Sequence, residues 1–243
     1  MREFETFVYL DMQKTGSTFI TTFLKQNTLE KLLRHDRHVG MPSDCDRSKL
    51  YFISVRNPLD QYTSLYSFGC QSLGQLHLKL DRRGRGSLYN GTWSGFESWL
   101  DFVLDPENAR LLGDGYGRKR SGRASELVGL QSYRVLLLAL PGAKELLHDC
   151  DSVAAIESVY DQHKLPEHVI RTETLRPDLK ELVLVKLTDR FPDVAAALHQ
   201  IDTMEPVNAS KRIDQFDATP KLSAALQRRL EEREWLLHKY FGY

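Results

Sequence analysis

Lys14-Thr15-Gly16-Ser17-Thr18 gathers a cation, three hydroxyl groups and one glycine in a short run. Lysine supplies a full charge, the hydroxyls supply donors, and glycine lets the backbone approach a bound group closely. Set between a strand and a helix, such a run also presents main-chain N–H groups at the positive end of the helix. That is the chemistry of anion binding. A second candidate is Arg56, followed by Asn57-Pro58 and then Ser64. A guanidinium suits two-pronged phosphate binding, and Ser64 on a following helix can add a hydroxyl to the same group. The plain alternatives are a surface ion pair for Arg56, a solvated helix position for Ser64 and an ordinary strand–helix turn around Lys14. A third candidate is the pair His35 and His38 in Arg34-His35-Asp36-Arg37-His38. An imidazole of ordinary pKa suits a general base, and Asp36 is available to orient either ring. An accidental spacing on a surface loop is the competing account. Glu30 is a weaker candidate base.

The order of residues in the first run limits its meaning. In the Walker A pattern, lysine directly follows the last glycine. Here Lys14 precedes Gly16, so an ordinary ATP- or GTP-hydrolysing loop is disfavoured.

The elements that must position these residues follow from apolar spacing. Phe4 to Met12, with the run Phe7-Val8-Tyr9-Leu10, predicts a buried strand. Phe19, Ile20, Phe23, Leu24 and then Leu32 and Leu33 fall at helical spacing, so strand, glycine turn and helix follow in order. Leu50 to Val55 predicts a second buried strand. Asn57 is placed to cap the next helix, with Pro58 at its first position and Leu59, Tyr62, Leu65 and Tyr66 on its apolar face. Two strand–turn–helix units without a hairpin signal between them predict an α/β fold with a parallel sheet.

Later segments are less informative. Residues 69–94 are rich in glycine, serine and arginine and read as irregular. Phe96 to Leu104 predicts a short aromatic helix, 113–123 a loop, 126–140 a helix, and Val153 to Ile156 a strand or helix start. Val169-Ile170-Arg171 predicts a strand, Asp178 to Phe191 an amphipathic helix, 201–219 irregular chain and Lys221 to Phe241 a final helix. No repeat or linker divides the 243 residues, so a single domain over 1–243 is expected.

Composition excludes more than it assigns. Lysine plus arginine and aspartate plus glutamate both number 33, so no global charge points to nucleic acid. Three widely spaced cysteines argue against a disulfide framework or a zinc site and fit a reducing compartment. The acidic N-terminal residues carry no apolar leader, and no apolar run reaches the roughly 20 residues of a membrane span. A cytoplasmic protein without a transmembrane segment is expected. Sequons begin at Asn90 and Asn208, a pattern that also arises by chance.

Gln13-Lys14-Thr15-Gly16-Ser17-Thr18 resembles the 5′-phosphosulfate loop of the sulfotransferases that use PAPS (3′-phosphoadenosine 5′-phosphosulfate). Gln13 in the place of the family's usual proline is similar to some carbohydrate sulfotransferases. Arg56-Asn57-Pro58, Ser64 and Tyr66 resemble the family's second signature, R-x-P-x-x-x-x-x-S-x-Y, without a gap. Val169 to Leu175, the late Asn208-Ala209-Ser210-Lys211-Arg212 and the ending Tyr240-Phe241-Gly242-Tyr243 are similar to later family segments. The likeness is sharp over residues 8–66, moderate over 168–243 and weak over 69–165. It is nearest to the carbohydrate-type branch, as a soluble, bacterial-like member.

The resemblance implies a three-layer sheet flanked by helices, the P-loop-like nucleotide-binding fold of that family. It implies PAPS as donor and PAP as product, with no metal required. Lys14, Thr15, Gly16, Ser17 and Thr18 would hold the 5′ end, Arg56 and Ser64 the 3′-phosphate, and Lys211 and Arg212 the nucleotide from a late loop. Transfer would be an in-line displacement at sulfur, with Lys14 at the leaving oxygen and His38, then His35, as base. Glu173 would hold a core arginine or a helix end. Segments 69–94 and 113–123 would bind the acceptor. There, Arg82, Arg83, Arg85, Arg118, Lys119, Arg120 and Arg123 suit an anionic sugar or form solvated loops, and Trp93 and Tyr116 stack on a sugar or simply pack. A sugar-containing hydroxyl acceptor comes first, then a small alcohol, phenol or amine. A phosphate-loop nucleotide kinase and a non-catalytic nucleotide-binding domain are the rival classes. Acceptor identity and oligomeric state are not legible.

Overall fold

The computed structural model describes residues 1–36, 39–205 and 222–243. Among the described residues five strands form one mixed sheet: β1 (Arg2–Phe4), β2 (Phe7–Leu10), β3 (Leu32–His35), β4 (Leu50–Val55) and β5 (His168–Arg171), in the order β3-β1-β2-β4-β5. β2, β4 and β5 are parallel, with Leu10 opposite Ile53 and Val55 opposite Arg171. β1 is antiparallel to both β2 and β3.

The expectation of a wholly parallel sheet is thus corrected at one edge, for two reasons. The run from Phe4 to Met12 is not one strand. Glu5 and Thr6 turn the chain between β1 and β2, and Glu30 supports that turn by accepting the Thr6 N–H (2.8 Å) and hydroxyl. Leu32 and Leu33 do not continue the first helix either. That helix ends at Asn27, Thr28 is extended, and the N–H of Leu29 and the hydroxyl of Thr28 bond to the Arg190 carbonyl at 3.0 and 3.1 Å. The following residues then pair with β1.

The helices are α1 (Ser17–Asn27), α2 (Pro58–Cys70), α3 (Gln75–Asp81), α4 (Trp93–Leu104), α5 (Ala109–Leu112), α6 (Ala124–Leu127), α7 (Leu130–Ala139), α8 (Ala143–Leu146), α9 (Val153–His163), α10 (Leu175–Val185), α11 (Val194–Thr203), α12 (Ala224–Arg233) and α13 (Trp235–Phe241). α2 begins as its sequence requires. Asn57 accepts from the N–H of Leu59 (3.0 Å) and Asp60 (3.3 Å), and Pro58 opens the first turn. The predicted final helix is two helices, broken at Glu234.

The chain divides into two compact units. The first holds Met1–Arg56, Leu137–Gly142 and 163–205, and the second Asn57–Leu136, Ala143–Gln162 and 222–243. In the first, Phe7, Tyr9 and Phe52 of the sheet pack with Phe19, Ile20, Phe23 and Leu24 of α1, Leu179, Leu182 and Val183 of α10, and Ala197 and Ile201 of α11. Burying this many large apolar side chains, at about 1.5–3 kcal/mol each, is what holds α1 against the strands that flank its N-terminus.

In the second unit Tyr62 and Tyr66 of α2 meet Trp99 of α4 at ring distances of 6.0 and 5.5 Å. Glu234 is fully buried there. It accepts from the N–H groups of Gln131 (3.2 Å) and Ser132 (2.7 Å), the Ser132 hydroxyl (2.7 Å) and the Tyr62 hydroxyl. It therefore caps the first turn of α7, where N–H groups lack partners within their own helix.

Candidate functional site

The loop between β2 and α1 is shaped by its backbone. Lys14 and Gly16 both take left-handed conformations, with φ of 67° and 76°. Glycine adopts this freely, whereas lysine does so at a cost, so position 14 is held there by its surroundings. Thr15 is thus flanked on both sides by residues of positive φ. A Cβ on Gly16 would also collide with the Leu175 side chain.

The N-terminus of α1 begins at Gly16 with no side-chain cap and no acid in its first turn. α2, by contrast, has Asn57 on its first N–H groups and Asp60 beside them. Ser17 is half-buried and Thr18 exposed at the start of α1. The preceding acid, Asp11, is fully buried and pairs with Arg2 at 3.0 Å. Positive potential at the loop is therefore not cancelled by the nearest carboxylate in the chain.

Thr15 faces inward and is fully buried. Its hydroxyl donates to the Met12 carbonyl at 2.7 Å and lies 2.6 Å from the Ser54 hydroxyl. Its side chain anchors the loop, so any contribution to a ligand comes from its main chain. Ser54, the one serine in the strand Leu50 to Val55, also lies 2.6 Å from the Tyr9 hydroxyl. Sequence reasoning passed over Tyr9 and Ser54. A serine in a strand otherwise aliphatic and aromatic was the available signal.

Arg56 follows β4 and brings the second cation to the loop. Its Nη1 donates to the Lys14 carbonyl at 3.4 Å. The carbonyl of Val55, just before it, accepts from the Thr172 hydroxyl at 2.9 Å, which holds the end of β4 beside the end of β5. Burial, and then the charge of Arg56, push the Lys14 ammonium below its ordinary pKa. Two cations that raise each other's cost at the carboxyl ends of adjacent parallel strands favour anionic groups beside them.

The remaining predicted residues fall elsewhere. Ser64 is half-buried on α2, in the second unit. His35 is exposed at the carboxyl end of β3, not in a loop. It stands in the row of Arg2 and Tyr9, two strand spacings or about 10 Å from β2. Asp36 pairs with Arg34 through one of its two carboxylate oxygens. His38, Lys211 and Arg212 lie outside the described residues, as does Asn208-Ala209-Ser210.

Glu30 is committed to Thr6 and to Arg190 (3.1 Å), a structural place rather than that of a base. Glu173 is exposed, and Asp178 takes the N–H of Arg171 (2.7 Å) and the hydroxyl of Thr174 (2.9 Å).

The two segments read as acceptor loops are partly ordered by their own contacts. Residues 69–94 contain α3, and within 113–123 Lys119–Ser121 forms a short 3-10 turn. Tyr116 is buried and donates to the Val128 carbonyl at 2.7 Å, so it packs. Trp93 is half-buried against Phe96. Arg82, Arg83, Arg85, Arg118, Lys119 and Arg123 are exposed. Arg83 donates to the Leu111 carbonyl (2.7 Å), and Arg123 pairs with Glu126 (2.7 Å).

Among the described residues no group of three or more histidine, cysteine, aspartate or glutamate side chains is placed to hold a metal ion. Among them, too, no helix is long and apolar enough to cross a membrane. Fold and site together define an α/β chain with a mixed five-stranded sheet and a basic loop at the carboxyl ends of two parallel strands. Comparison with protein-family models, curated proteins and solved structures finds no match.

Proposed function

We propose that the chain is a PAPS-dependent sulfotransferase acting on an acceptor hydroxyl, with a sugar-containing acceptor favoured over a small alcohol, phenol or amine. The carrying observation is the joining of two cations: the Arg56 guanidinium bonds to the main chain of Lys14 in a loop with left-handed residues at 14 and 16. A loop of this order, with lysine before its glycine, departs from the Walker A pattern of nucleoside triphosphate sites and resembles the 5′-phosphosulfate loop of the family. The uncapped start of α1 suits the same anion. The family resemblance gives Arg56 a second phosphate on the same nucleotide, and that role would separate the reading from a nucleotide kinase. PAPS carries phosphate at both ends of its ribose and so fits this pair of grips.

In this reading Lys14 and the N–H groups at the start of α1 hold the sulfonyl and phosphate oxygens, and Arg56 holds the 3′-phosphate. The acceptor oxygen bonds to sulfur as the bridging sulfur–oxygen bond breaks. Lys14 neutralises charge on the departing phosphate oxygen, and a base takes the acceptor proton. His38, then His35, are the proposed bases. Positioning and charge stabilisation carry the rate, by analogy with phosphoryl transfer.

The test is transfer of label from ³⁵S-PAPS to a panel of glycans and small hydroxyl compounds, with Lys14→Ala alongside. Wild-type transfer is expected, with loss of turnover in the folded variant. Undiminished turnover in Lys14→Ala would refute the role given to that residue. Absence of transfer to every acceptor, despite PAP binding, would favour a non-catalytic nucleotide-binding domain.

A further inference from the structure

We propose that Ser54 is a positioning residue for the phosphate loop, acting through a one-way chain of hydroxyl groups. The inference rests on the reading of Lys14 to Thr18 as the 5′-phosphate grip. It names a residue that neither sequence motif contains.

Hydrogen-bond accounting sets the direction of the chain. The Thr15 hydroxyl has one proton, and it goes to the Met12 carbonyl at 2.7 Å. At 2.6 Å from Thr15, Ser54 must therefore be the donor in that pair. Ser54 has then spent its own proton, so Tyr9, also at 2.6 Å, must donate to Ser54. Tyr9 donates to Ser54, Ser54 to Thr15, and Thr15 to Met12. All three hydroxyl residues are fully buried, where an unmade hydrogen bond is costly. Burial also pushes the Tyr9 phenol far up, which keeps it a donor.

The chain is anchored at both ends. Tyr9 lies in β2 and stacks on Phe52 of β4, with ring centres 5.1 Å apart. At the other end, the bond from Thr15 to Met12 closes a turn around Gln13 and Lys14. That turn holds the left-handed lysine. Ser54 grips the turn at Thr15, and Arg56, two positions on, grips it at the Lys14 carbonyl. Ser54 is buried beneath the loop, so it acts by fixing where Lys14 and the following N–H groups sit.

The test compares two probes, adenosine 5′-monophosphate and adenosine 3′-monophosphate, by titration calorimetry. Circular dichroism and thermal midpoints are measured in parallel. Ser54→Ala and Thr15→Val are expected to weaken the 5′ nucleotide about tenfold, the equivalent of one lost hydrogen bond, and the 3′ nucleotide less than about twofold. Tyr9→Phe leaves the Ser54 to Thr15 bond intact and should cost less than Ser54→Ala. It also serves as the readable variant if Ser54→Ala does not fold. Thr15→Ser should recover most of what Thr15→Val loses. Equal losses for both nucleotides, or no loss for either, overturn the assignment while leaving the functional reading standing. Wild-type protein that binds neither nucleotide overturns both.

Discussion

The Arg56 guanidinium donates to the main-chain carbonyl of Lys14 at 3.4 Å, so the two cations of the site are parts of one structure. A charge from the end of β4 sits beside a loop from the end of β2, and each cation makes the other more expensive. An anion that enters relieves that repulsion, which links the local electrostatics to donor binding.

The first prediction concerns pH. The Lys14 pKa is lowered by burial and then by Arg56, so its ammonium is lost at a pH below the ordinary 10.5. The charged form is the one the folded state disfavours. Its cost is fully present below the folded pKa and fades as pH rises toward the unfolded value. If Lys14 holds the donor as proposed, affinity needs the ammonium, so PAP binding should begin to decline at a pH below 10.5. Arg56→Ala should move the Lys14 titration, followed by NMR of its side-chain methylene, back upward. An unchanged midpoint in that variant would show that the two charges do not interact.

Gly16 offers a stability test. Its φ of 76° and its contact with Leu175 leave no easy place for a methyl group. Gly16→Ala should cost about 1–3 kcal/mol in urea unfolding. In a Leu175→Ala background the collision is removed, and adding Gly16→Ala should cost only the backbone term of about 1–2 kcal/mol relative to Leu175→Ala alone. If Gly16→Ala unfolds at the wild-type urea concentration, the close packing of this loop is wrong.

In the second unit, Asp114 has a left-handed backbone, with φ of 59°. It pairs with Arg134 at 2.8 Å and Lys79 at 3.3 Å. Burial pushes its carboxyl up, but the two cations outweigh burial and hold it below its ordinary value. Its stabilisation is therefore complete above the unfolded pKa of 3.8 and lost as pH falls through the lower folded value. Asn tolerates the same backbone, so Asp114→Asn isolates the charge. The variant should be less stable at neutral pH and show a shallower loss of stability in acid. Parallel acid-unfolding curves for the two proteins would contradict the assignment.

The proposed base is tested by turnover. His38→Ala should lower turnover at unchanged PAP affinity, and His35→Ala should have the smaller effect. Full activity in His38→Ala with loss in His35→Ala would move the base to the end of β3.

What the sequence revealed divides along physical lines. Asn57 as cap, Pro58 in the first turn and the buried run Leu50 to Val55 are local signals, and each has the predicted form. The β1–β2 turn at Glu5-Thr6 carries no glycine or asparagine. It is supported by Glu30, whose position depends on folding. β3 was hidden for a similar reason: Leu32 and Leu33 keep a helical phase with α1, yet pairing with β1 decides their state. Lys14, Gly16 and Arg56 were legible because their chemistry is written in their types. Tyr9, Ser54 and Thr15 form a chain across two strands, and no spacing along the sequence shows that the Thr15 hydroxyl turns inward.

The proposed site takes a nucleotide with phosphate at both ends of its ribose. Calorimetric titration of the intact protein with PAP in EDTA, against Mg-ATP under matched conditions, tests it most directly. The account predicts metal-independent binding of PAP, tighter than that of either adenosine monophosphate, with no comparable binding of Mg-ATP. Tight Mg-ATP binding with no binding of PAP would contradict it.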